Sequence, residues 1–438
     1  MKFGFRLVIA LIVTTGLWVR AASAAGPDGA AAAGTIPPGT QITMQNWQNY
    51  KEFMSDGMLA LFQGTYEWKM PPDIELDVGP TVIHPLPKGY LDATEKYASQ
   101  AKLVDLPDGG LTLEGYVAGT PFPNPDGPHK GCEILANLWF RYTPRLTAST
   151  PENPVIDCHQ DSHGNIACEK MIFIDRWLKH VTDPGYPMVD PQAGDRYETR
   201  YGMTIEPEQL KYSAGLTIYY DDLTRLPGTY TFSPAQRRVT QTSSASRCQP
   251  SAGSDMTADD FRYGFAGNIT EFSADFLGER KILALLDYDI PLGRFPANYF
   301  MPLGFPKPSW GKWELRDVYE IDLRKLPAKA GGYCYGKRIM YVDKRFYAPI
   351  WEELYDSQMK YWKTVHISPQ ALEVPGVGLV NNAGSMSEQV LDLQNAHATY
   401  DTSFDDQGHT VYINQQAPKE YEDQRKYSTP GGLSEIMR

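Results

Sequence analysis

The sequence predicts a mainly β fold (α+β), an antiparallel sheet covered by helices, and three observations lead to it. Twenty-seven tyrosines and nine tryptophans suit pleated, half-buried surfaces. Thirty-four prolines fall among turn clusters spaced about eight to twelve residues apart, the signature of a meander. Helical periodicity, in contrast, is confined to the N-terminal quarter of the chain.

The first 24 residues read as a secretory signal. Lys2 and Arg6 supply a positive start, residues 7–19 an apolar run, and Ala22-Ser23-Ala24 a small-residue cleavage site. The run falls short of the ~20 residues that span a bilayer. No cysteine follows the site, which argues against lipid attachment. Export would place the mature chain in an oxidising compartment outside the cytoplasm. Residues 25–40, rich in Ala, Gly and Pro, form a flexible leader.

From 43 to 62, Trp47, Tyr50, Phe53, Met54, Met58 and Leu61 recur at three- and four-residue steps, predicting a helix that Gly57 weakens. A second, more polar helix is expected over 90–103. Strand patterns then take over at 111–117, 134–142 (with Trp139 and Phe140), 216–220, 229–232 and 237–242. More follow at 281–286, 318–323, 337–343, 350–355 and 361–366. One large domain over 41–400 is expected, with a tail at 401–438. The last seventy residues are poorly patterned and are expected to wrap the domain or fray.

The net charge of −12 repels nucleic acid and favours solubility; no basic run interrupts it, so no nucleic-acid partner is expected. Five cysteines in an exported chain invite disulfides. Ser162-His163-Gly164 makes a three-residue hairpin loop with glycine at its left-handed position. Pairing the arms about His163 sets Cys158 opposite Cys168, within disulfide range. So short a loop contributes roughly 3 kcal/mol in the chain-entropy picture. Cys248–Cys334 is the second pairing considered, leaving Cys132 as a free thiol.

Catalytic patterns are weak. On an extended strand Asp157, His159, Asp161 and His163 share a face and could hold zinc, but the hairpin swings His163 away from His159. Asp255, Asp259 and Asp260 could serve as acid and base or take calcium, at spacings foreign to an EF-hand. There is no Gly-x-Ser-x-Gly elbow and no phosphate loop. Glu352-Glu353 reads as a solvated strand face. No enzyme activity, cofactor or metal is expected, a metal-dependent hydrolase around His159 and His163 being the third-ranked alternative.

Apolar strands are the stronger signal. A sheet apolar on one face must cover that face, and incomplete cover by the helix at 43–62 leaves a cavity for a hydrophobic ligand. Leu216, Ile218, Tyr220, Tyr230, Phe232, Ile339 and Tyr341 are the candidate lining, and each serves equally well as plain core.

The run from Asp222 to Arg238, with its strand, Pro227-Gly228 turn and paired Arg237-Arg238, resembles the central signature of the domain of unknown function 1329 family. Ser254-Asp255-Met256-Thr257, Asp260-Phe261, residues 335–343, residues 351–356 and residues 130–142 are similar to its other blocks, in order. The resemblance spans about residues 40–400. It implies a Gram-negative periplasmic protein with a strongly curved antiparallel sheet, a half-barrel covered by helices, similar to lipoprotein-localisation carriers. It carries over no catalytic residue. The function expected is binding or carriage of a lipid or other hydrophobic small molecule. An efflux-type inner-membrane transporter and an outer-membrane protein are the implied partners. The alternative is a structural partner of such a transporter without its own ligand.

Overall fold

In a computed structural model the described residues are 34–243, 247–250, 253–262, 264–286, 296–381, 386–402 and 411–437. The expected signal peptide and most of the leader lie outside them. Among the described residues no helix is long and apolar enough to cross a membrane.

The predicted helix at 43–62 is two pieces, a 3-10 turn at Trp47–Phe53 and α1 at Asp56–Gln63. Ser55 caps α1 by accepting the Met58 N–H at 3.1 Å, and Gly64, at φ +65°, ends it. Gly57, which weakens the helical pattern, is there for contact. A Cβ on it would overlap the Thr364 side chain, and its N–H donates to Glu353 at 3.0 Å. The second helix, α2, is Lys88–Tyr97. A third, α3 at Lys130–Trp139, replaces the strand expected over 134–142. Ile134, Leu135, Leu138 and Trp139 fit one helical face, and a short apolar run does not distinguish the two structures by periodicity alone.

Among the described residues fifteen strands form one antiparallel sheet. In chain order they are β1 Leu146–Ala148, β2 Val155–Gln160, β3 Ile166–Trp177, β4 Arg196–Glu206, β5 Ala214–Tyr220, β6 Gly228–Ser233 and β7 Arg238–Gln241. After a crossing segment come β8 Phe272–Ala284, β9 Glu314–Lys325, β10 Tyr335–Asp343, β11 Pro349–Asp356 and β12 Tyr361–Pro369. The last are β13 Met386–Asp392, β14 His397–Thr402 and β15 Tyr412–Ile413. The lateral order is β7-β6-β5-β4-β3-β2-β14-β13-β12-β11-β10-β9-β8, with β1 on β3 and β15 on β1. The sheet is open, its two edges being β7 and β8.

Of the last seventy residues, expected to wrap the domain or fray, residues 386–402 depart from that reading, whereas the segment around Tyr421, Tyr427 and Leu433 does wrap the sheet. β13 and β14 occupy the middle of the sheet, with β14 paired to β2 and β13 to β12. Beyond them α4 at Gln424–Tyr427 and α5 at Pro430–Leu433 dock rather than fray. Glu422 accepts from Arg145 at 2.9 and 2.7 Å and from Arg176 at 2.8 Å, and these cations hold its carboxyl down to about 2.

Two segments from opposite ends of the chain cover one face. Met54, Met58 and Leu61 pack on Ile339, Tyr341 and Trp351, while Tyr421, Tyr427 and Leu433 pack on Ile172, Leu216 and Ile218. On the other face α3 gathers both ends of the sheet. Trp139 donates to Tyr197 of β4 at 2.7 Å and lies 5.9 Å from the Tyr219 ring of β5. The same cluster takes in Ile321 of β9 and Met340 of β10. β5 and β9 stand nine positions apart, ~43 Å in a flat sheet. A ten-residue helix can touch both only because the sheet curls into a half-barrel.

Glu352 and Glu353, expected on a solvated face, are both fully buried. Glu352 pairs with Arg338 across β10 and β11, and Glu353 receives the α1 amide described above. Burial pushes their carboxyls up to about 7 and about 8.

Cys158 is bonded to Cys168 across β2 and β3, at directly opposed positions. Asp161 to Asn165 closes the turn between them, with Gly164 at φ +83°. Cys248 is bonded to Cys334, and Cys132 is a free, half-buried thiol on α3.

The fit of Gly57 under β12 leaves no room for a branched side chain. Gly57→Val is expected to cost ~2–3 kcal/mol, measured as a lower midpoint in urea unfolding; a midpoint unchanged from wild type would refute the close approach.

Candidate ligand-binding cavity

The α3 face of β3 to β6 forms the floor of a cavity of about 490 Å3. Cross-strand rows set its composition. Asp175, Arg200, Thr217 and Thr229 make one row; Phe173, Gly202, Gly215 and Thr231 make the next; Met171 and Thr204 begin a third. Gly202 and Gly215 sit side by side, and a Cβ on either would meet only a backbone oxygen at 3.9 Å. Their missing side chains cut a trough into the floor.

The roof is the segment between β7 and β8, which lays Met256, Phe261 and Arg262 over the cavity. Buried polar contacts hold it there. Tyr333 and Tyr335 donate to Asp259 and Asp260 at 2.8 and 2.7 Å, and Arg338 pairs with Asp260. Arg247 pairs with Asp259, and Cys248 is tied to Cys334. Arg262, at φ +66°, donates to Glu198 at 2.9 and 2.7 Å and lies 4.1 Å from the Trp139 ring. A second hollow of similar volume, bordered by Tyr220, Arg225 and Tyr230, shares Thr229, Arg247 and Ala258 with the first.

At the β13–β14 end the cavity meets acid. Glu388 and Asp401 border it and are cross-strand partners. Asp401 in turn opposes Asp157, which opposes Glu169. Four carboxylates thus cross four adjacent strands in one row. Burial raises the carboxyls of Glu388 and Asp157 well above their ordinary range and that of Asp401 to about 6. Asp255, close by on Thr399 at 3.2 Å, is raised by burial to about 6 as well.

Of the seven residues that sequence reasoning nominates, Leu216 and Phe232 border the cavity, and Tyr220 and Tyr230 border the adjoining hollow. Ile218 is buried under the C-terminal segment. Ile339 and Tyr341 lie in the other half of the sheet, beneath α1. The alternation of apolar residues in β5 marks the face covered by Tyr421 and Tyr427, whereas the floor is the opposite set: Gly215, Thr217 and Tyr219. A half-turn of the strand separates the two readings.

The proposed zinc pair does not assemble. His159 is part-buried near Asp157, at 3.8 Å, while His163 is in the exposed turn. Among the described residues no three His, Cys, Asp or Glu side chains converge as a metal site. Asp255, Asp259 and Asp260 are engaged separately, with Thr399, Arg247 and Arg338. Sequence reasoning named Asp157 only within the zinc pattern and missed the acidic row, because its members come from residues 157–169 and 388–401 and meet only through strand register.

A carboxyl raised by folding retains a proton that the unfolded chain has released. Its stabilising contribution is therefore complete below the ordinary carboxylate range and disappears as pH rises through the folded value. For Asp401 that window runs from about 4 to about 6. Asp401→Asn is expected to raise the unfolding free energy by roughly 1–3 kcal/mol at pH 8 and by almost nothing at pH 3. Urea titrations at the two pH values check this, and equal shifts at both would contradict it.

The sequence matches the family described as Protein of unknown function (DUF1329) over residues 41–433. No curated protein matches it. Among solved structures it is similar to a domain from Vibrio parahaemolyticus, provisionally assigned to outer membrane lipoprotein sorting. That pair shares 12% identity and a TM-score of 0.45 over 67% of this chain and 97% of the other. A DUF1329 family protein from Desulfovibrio piger gives 12% identity and 0.45 over 68% and 97%. A LolA superfamily protein from Nitrosomonas europaea gives 12% and 0.35 over 62% and 87%. With the family matched across nearly the whole described chain, this protein belongs to the DUF1329 family.

Proposed function

We propose that this protein is a periplasmic carrier that binds a lipid or other hydrophobic molecule without covalent chemistry. The observation that carries the reading is the roofed trough at Gly202 and Gly215, which its own side chains leave open. A volume of about 490 Å3 falls within the range of small-molecule sites, and Met171, Phe173, Met256 and Phe261 supply the apolar lining such sites use. Burying ~300 Å2 of ligand apolar surface would contribute roughly 7 kcal/mol before association costs, enough for reversible carriage. Two disulfides support an oxidising compartment, and the signal-like first 24 residues support export.

The protein is expected to copurify with a hydrophobic molecule detectable by native mass spectrometry. Gly202→Leu with Gly215→Leu fills the trough from two floor positions where a Cβ is tolerated. The double variant is expected to keep the wild-type thermal midpoint and to bind Nile red at least about tenfold more weakly. Wild-type binding by this variant, or no Nile red binding by the wild type, would remove the carrier reading.

A further inference from the structure

Directly opposed like charges destabilise a sheet, yet Glu388, Asp401, Asp157 and Glu169 stand in unbroken cross-strand succession. The cations around them are engaged by other carboxylates as well. Arg200 pairs with Asp175 at 2.7 Å and also acts on Asp401 through its charge, while Arg247 pairs with Asp259 and Arg262 with Glu198. Arg338 is shared by Glu352 and Asp260. Lys363 donates to the Asp255 carbonyl and lies 3.3 Å from the Tyr335 hydroxyl. His159 is kept neutral by burial, and His397 faces Asp255 at 4.0 Å.

Two atoms of the row have no hydrogen-bond partner among the described residues: Oε2 of Glu388, a residue only 3% exposed, and Oδ1 of Asp157. Glu388 borders the apolar cavity, next to Asp401. The arrangement is a greasy floor ending in buried carboxyl oxygens that meet no partner among the described residues. Among the described residues no three His, Cys, Asp or Glu side chains converge as a metal site.

We propose that the cavity binds a cationic amphiphile, its alkyl body against Met171, Phe173 and Met256 and its protonated amine between Glu388 and Asp401. This rests on the carrier reading and names the ligand class for that same site. An ammonium supplies three donors to an acidic pair in a low-dielectric pocket, where charge-assisted hydrogen bonds are strongest. The opposing possibility comes from Arg262, whose Nη1 also lacks a partner among the described residues and would suit a carboxylate head.

Displacement of Nile red from the purified chain by dodecylamine, dodecanol and dodecanoate at pH 7 separates these. Dodecylamine is expected to compete about tenfold or more better than dodecanol, with dodecanoate weakest. Glu388→Gln combined with Asp401→Asn is expected to bring dodecylamine within about threefold of dodecanol, with each competition referred to that variant's own Nile red affinity and a thermal midpoint no lower than wild type. Glu388→Gln alone, with an intermediate effect, provides the reading if the pair does not fold. Dodecanoate competing as well as dodecylamine, or an amine preference that survives both substitutions, would overturn the proposal. Nile red binding without any head-group preference would overturn it and leave the carrier reading intact, whereas no binding by any probe would overturn both.

Discussion

The contact of α3 with both ends of the sheet is the constraint from which the rest follows. Trp139 reaches Tyr197 and Tyr219 on one side, and the same helix packs on β8 and β9 on the other. Gly131 makes the second contact close: a Cβ there would strike the Ala274 carbonyl. A broad antiparallel sheet has no inherent reason to present the same face to one short helix from both ends. Fastened in this way it bends, and a bent sheet encloses volume that a flat one would leave to solvent.

Topology explains the roof. The two edge strands, β7 and β8, are consecutive in the chain. The segment joining them must cross from edge to edge, and it does so over the enclosed face. Its polar anchors, Asp259, Asp260 and Arg262, are buried and hydrogen-bonded to strands from both halves. A roof attached through paired charges keeps its position without filling the space below with side chains. Breaking one partner of such a pair leaves an uncompensated buried charge, which favours a single placement of the segment over a slack one.

Much of the sheet was legible because strand alternation and turn chemistry are local. The meander from 318 to 366 and the Cys158–Cys168 hairpin follow from patterns within a few residues. The errors share a physical origin in long-range pairing. Residues 134–142 carry an apolar run that serves a helix or a strand. Residues 386–402 look weak in isolation because their polar residues, Glu388 and Asp401 among them, face the interior. Glu352 and Glu353 look solvated because the partners that make their burial tolerable, Arg338 and the α1 amide, lie elsewhere in the chain. The candidate lining reaches the cavity only in part, through Leu216 and Phe232, for the related reason that a strand's apolar side can be its packed side while the cavity floor takes the side left bare by Gly202 and Gly215.

The pairing of β14 with β2 has a consequence for how the molecule comes into being. β2 to β7 form one meander and β8 to β14 another, and the seam between them is the first strand of the earlier meander against the last strand of the later one. That seam spans more than two hundred residues of sequence, so closing it is slow compared with local hairpins. A chain that emerges N-terminus first during its synthesis cannot complete the seam until its final strands have emerged. Until then β2 offers an unpaired edge, and the interior that becomes the cavity has one open wall.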